Sequence, residues 1–243
     1  MDRLTRHELK QDDFRETLDQ LDQYLKGHLK GILTVAILVI VLVGSAAGLK
    51  YYFSQQEASA NVDLASALET FQAYVGPPAP GNLGADSPES YPTASEKYKK
   101  ALAEFNAIVL KYRMFPRPKA ATIALYHVGV CESLLGNSAA AINSLQEVSR
   151  SGDREIASLA QFALAGEFLK SGKKQEAVTI YQNLVDHPSL AVPKASALLA
   201  LADTLRDSQP GQARKLYDQI QKEFGSDASI AEALKQQMAG LPQ

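Results

Sequence analysis

Tryptophan is absent, cysteine occurs once, and neither sign of charge prevails over the 243 residues. Cys131 alone excludes an intramolecular disulfide, and with no cation near it in sequence it reads as a small buried residue rather than a reactive thiol. A formal net charge of −2 leaves no electrostatic footprint for nucleic acid. The four histidines, His7, His28, His127 and His187, form no pair at metal-ligand spacing, and no glycine-rich loop could cradle a phosphate. The sequence therefore predicts no enzyme, no cofactor and no metal, and His127 on an Ala/Leu-rich helix reads as a partly buried structural residue. Scarce aromatics with abundant Ala and Leu favour close-packed helices over strands.

What is present is a nineteen-residue stretch, 31–49, without a charge. At about 1.5 Å per residue a helix of that length covers roughly 28 Å, close to the hydrocarbon core of a bilayer. Eleven of its residues are Leu, Ile or Val. They favour insertion by roughly 3 to 7 kcal/mol in sum. Residues 31–53 are predicted to cross a membrane once, with Tyr51, Tyr52 and Phe53 at the interface. Arg15, Lys26 and Lys30 precede the span against Lys50 after it, so the N-terminus is expected in the cytoplasm and the rest outside. A cleaved signal peptide is the rival, with Ala58-Ser59-Ala60 as its cleavage tripeptide. Against it, the thirty-residue leader and nineteen-residue apolar region exceed a signal's short leader and its apolar region of about 7 to 15 residues.

The leader, 1–30, has capping-box spacing at Thr5 and Glu8, then an apolar stripe of Phe14, Leu18, Leu21 and Leu25. Its other faces carry Asp12, Asp13, Glu16, Asp19 and Asp22, which suits a protein partner or a second copy better than anionic lipid. A membrane-proximal helix occupies 54–76, and 77–92, with five prolines in sixteen residues, reads as a linker. Thr93 and Glu96 repeat the capping-box spacing and open the domain 93–243.

That domain repeats itself. Ala101 precedes Phe105 by four residues, as Ala141 does Leu145, Ala177 Tyr181, and Ala213 Tyr217; the alanines are 40, 36 and 36 residues apart. Gly136 and Gly172 each stand five residues before such an alanine. Val128-Gly129 and Leu164-Ala165 match in the helices before those glycines, and Pro193 opens a further helix. Small residues at fixed points let paired helices approach, and the large residue fills the space beside them. The pattern resembles tetratricopeptide repeats, helix–turn–helix units of about 34 residues. The expectation is an all-α chain: one N-terminal transmembrane helix, then a tetratricopeptide-repeat α-solenoid closed by a capping helix over 229–238. The first helices of successive repeats would line a groove for an extended peptide or a helix, at Tyr126, Val130, Phe162, Leu169, Lys170, Leu198 and Arg206.

Leader, single span and exported repeats together resemble a known family, the YfgM-like ancillary subunit of the bacterial SecYEG translocon. The similarity is most evident at Leu49-Lys50-Tyr51-Tyr52-Phe53 and the helix from Glu57 to Val75, and covers roughly residues 25 to 240. The resemblance implies a bitopic inner-membrane protein whose periplasmic domain meets translocon subunits, periplasmic chaperones or emerging polypeptides. Two features depart from it: the acidic, amphipathic leader, and the proline-rich segment that interrupts the first repeat. The alternative is a cell-envelope scaffold that self-associates through the leader stripe or organises an unrelated complex.

Overall fold

The computed structural model describes residues 6–76, 90–113, 116–227, 230–232, 234 and 237, with side chains from residue 28 onward apart from 29 and 32. Thr5 of the predicted capping box and the linker residues 77–89 lie outside this set. So do the side chains of the leader stripe, whose backbone is helical. The described chain is mostly helical and divides into two compact units, Met1–Gln55 and Gln56–Gln243.

In the first unit, helix α1 (Arg6–Gln72) carries leader and apolar stretch without a break. Over Leu33–Gln72 an eighteen-residue window reaches mean hydropathy 2.2 and none of that window is buried by protein, so the helix is long and apolar enough to cross a membrane. The two hydroxyls of the apolar stretch 31–49 are satisfied locally: Thr34 Oγ1 donates to the Lys30 carbonyl at 2.8 Å, and Ser45 Oγ to that of Val41.

The second unit begins with the last turns of α1, which bury Ala60, Leu64 and Ala67. Helices α2 (Ala94–Lys111), α3 (Lys119–Leu134), α4 (Ser138–Ser149), α5 (Arg154–Lys170), α6 (Lys174–Asp186), α7 (Lys194–Leu205) and α8 (Pro210–Phe224) follow. From α2 on, each packs chiefly on its neighbours in the chain, and α3 also meets α5. The four alanine–apolar pairs fall on α2, α4, α6 and α8, and all eight side chains are buried. Gly129 of α3 faces Leu145 of α4 so closely that an added Cβ would lie 2.7 Å from Leu145 Cγ. Thr93 caps α2 as its spacing predicts, accepting from the Glu96 N–H at 3.2 Å.

Turns recur as well. Gly136 (φ +84°) and Gly172 (φ +74°) adopt the left-handed conformation after α3 and α5. In each, the next N–H reaches the third carbonyl from the helix end: Asn137 to Glu132 at 2.8 Å, Lys173 to Phe168 at 2.7 Å.

Two features differ from the sequence reading. α1 ends at Gln72, short of the predicted Val75, because Tyr74 and Val75 leave the helix to form strand β1 (Tyr74–Val75). It pairs in parallel with β2 (Ser90–Tyr91), and the Gly76 N–H donates to the Tyr91 carbonyl at 2.9 Å. The boundary between span and membrane-proximal helix is no break either, since α1 runs through both.

Candidate functional site

Position in the 36-residue period decides where the candidate groove residues lie. Tyr126 of α3, Phe162 of α5 and Leu198 of α7 share one register but not one degree of burial. Tyr126 and Phe162 are partly buried against the core, with Phe162 edge-on to Tyr181 at 5.3 Å between ring centres. Leu198 is wholly buried. It lies in the stripe Ala195, Leu198, Ala202, Leu205, spaced so that all four face inward. Leu198 is core, not groove.

Val130 and Leu169 are partly buried on the same helices as Tyr126 and Phe162. Ile123 and Leu159 accompany them and were missed from the sequence, although both stand three residues before a chosen aromatic. Gly166, at Val130's register in α5, leaves open space: no atom lies within 4 Å of an added Cβ. The result is a half-buried apolar row across α3 and α5, two helices in contact.

The two cations are engaged within the chain. Lys170 Nζ lies 2.6 Å from Glu167 Oε1 and 2.7 Å from Ser133 Oγ, and Ser133 donates to the same carboxylate at 2.5 Å. Burial alone would raise the Glu167 pKa, but hydrogen bonds from Lys170 and Ser133 outweigh it and hold the group below its ordinary value. This cluster ties α3 to α5. Arg206 donates to Gln237 Oε1 at 3.0 Å, and Leu234 nearby in sequence is buried. Both residues belong to the described part of the predicted capping helix.

Beside the row, the His127 ring stacks on Phe105 (4.9 Å, 16° between planes) and meets Phe71 edge-on at 5.2 Å. Burial pushes its pKa down to about 4, and its Nδ1 has no hydrogen-bond partner among the described residues. Burial, with the Glu132 charge adding to it, pushes the Cys131 thiol up to about 12. Both groups are therefore uncharged at neutral pH. Among the described residues, no group of three or more His, Cys, Asp or Glu side chains could hold a metal ion. No protein-family model and no curated protein matches this chain.

Proposed function

We propose that this is a single-pass protein of the bacterial inner membrane, N-terminus in the cytoplasm, whose helix pairs form a tetratricopeptide α-solenoid that binds other proteins without catalysis. Its place is near the secretion channel, where it engages translocon subunits, chaperones or emerging polypeptides. The observation that carries the reading is the apolar row Tyr126, Val130, Phe162 and Leu169, half-buried on two adjacent helices and lacking the charge that fully solvated faces carry. The recurrence of buried alanine–apolar pairs with glycine turns supports the repeat architecture.

Tethering raises the row's effective concentration for membrane-bound or emerging partners, so weak intrinsic affinity suffices and release stays fast.

In-cell photocrosslinking from Tyr126 and Val130, with mass spectrometry of the products, tests this reading. Channel subunits, exported chaperones or nascent exported chains should be captured. Capture of copies of this chain alone, or of one unrelated envelope complex, would replace the secretion role with that of an assembly scaffold.

A further inference from the structure

Three arginines line one cavity of the second unit. Its volume is about 390 Å³, and Arg113, Pro116, Arg117, Thr122, Glu147 and Arg150 are among its lining residues. Glu147 is the only carboxylate there, and it accepts from Arg117 Nη1 at 2.8 Å. Among the described residues no hydrogen bond or ion pair engages the side chains of Arg113 or Arg150. The carbonyl ends of α2 and α4, where Arg113 and Arg150 stand, together add about one negative charge, which with Glu147 leaves about one of the three arginine charges uncompensated. The cavity therefore stays net positive, with two planar donor forks unspent.

We propose that this cavity is an oxyanion site for a phosphate group, carried by a phospholipid headgroup or free in solution. The headgroup source rests on the membrane reading above; the site's chemistry does not, and the two arms of the test separate the sources.

The test uses the full chain purified in non-ionic detergent with added phosphatidylglycerol, compared with R113Q/R150Q and with R214Q/K215Q, which removes two exposed cations elsewhere. Native mass spectrometry should show lipid occupancy about tenfold lower in R113Q/R150Q and unchanged in R214Q/K215Q. Calorimetry with inorganic phosphate should give binding that R113Q/R150Q abolishes. Phosphate binding lost in that variant with equal lipid retention in all three proteins would keep the site and overturn the lipid source. Equal retention with no phosphate binding, or equal loss in both variants, would overturn the proposal. A chain that stays soluble without detergent would sink the membrane reading, and the phosphate measurement would still judge the site.

Discussion

A Cβ at Gly129 would stand 2.7 Å from Leu145 Cγ and 2.9 Å from its Cδ2, in a side chain that is wholly buried and cannot swing away. Gly129→Ala gains about 1 kcal/mol of helix propensity and loses about 1–3 to overpacking. The loss wins: stability should fall by about 1 kcal/mol and Tm by about 2–4 °C, read by circular dichroism. Adding Leu145→Ala removes the atoms that clash, so urea melts should show the double variant costing less than the two single ones summed. His127 gives a second residue-scale prediction. Its folded pKa, about 4, lies below the ordinary 6.5, so between those values the unfolded chain binds the extra proton. Stability is complete above pH 6.5 and drains away as pH falls toward 4. The full shift would be worth roughly 3 kcal/mol, but partial exposure and the attraction of an imidazolium to two Phe rings return part of it, leaving about 1–2. His127→Leu should flatten stability between pH 7 and 5.5; an unchanged slope would assign it to other groups.

At the scale of elements, the same substitution should act with opposite signs six residues apart. Gly172 holds φ +74° at the end of α5, so Gly172→Ala should cost about 1 kcal/mol. Gly166, mid-helix with open space around it, should accept Ala with a gain of about 0.5–1 kcal/mol. Denaturant midpoints of the two variants should bracket the parent. Helix α3 shows a different economy: its N-cap, Pro118, offers no side-chain acceptor, and Glu57 from α1 supplies one. Glu57→Ala should therefore destabilise by about 1 kcal/mol, with Glu57→Gln intermediate, in thermal melts.

For the whole molecule, the boundary between units predicts where the chain can be cut. Residues 56–243 should unfold cooperatively without the first 55, since their core is internal to that unit. Deletion through residue 72 should not be tolerated. It removes Ala60, Leu64 and Ala67 from the core, and Phe71 from the rings of Phe105 and His127. Size-exclusion chromatography and circular dichroism should show aggregation or loss of a sharp transition for the shorter fragment alone. A soluble, cooperative 73–243 fragment would contradict this account of the core.

Sequence by itself determined what depends on local spacing. The uncharged run 31–49 defines the apolar stretch of α1, and Ala-x3-apolar spacing marks the buried faces of α2, α4, α6 and α8. Gly136 and Gly172 mark the turns, because positive φ selects glycine whatever surrounds it. Only tertiary structure decided how exposed each face is. Tyr126, Phe162 and Leu198 have one register, yet the first two are partly buried and the third wholly, since cover over a helix face comes from elements distant in sequence. The short ladder of Tyr74–Val75 with Ser90–Tyr91 and the cap that Glu57 lends to α3 have the same origin. Each joins residues whose separation along the chain carries no periodic signal, so their meeting is set by packing alone.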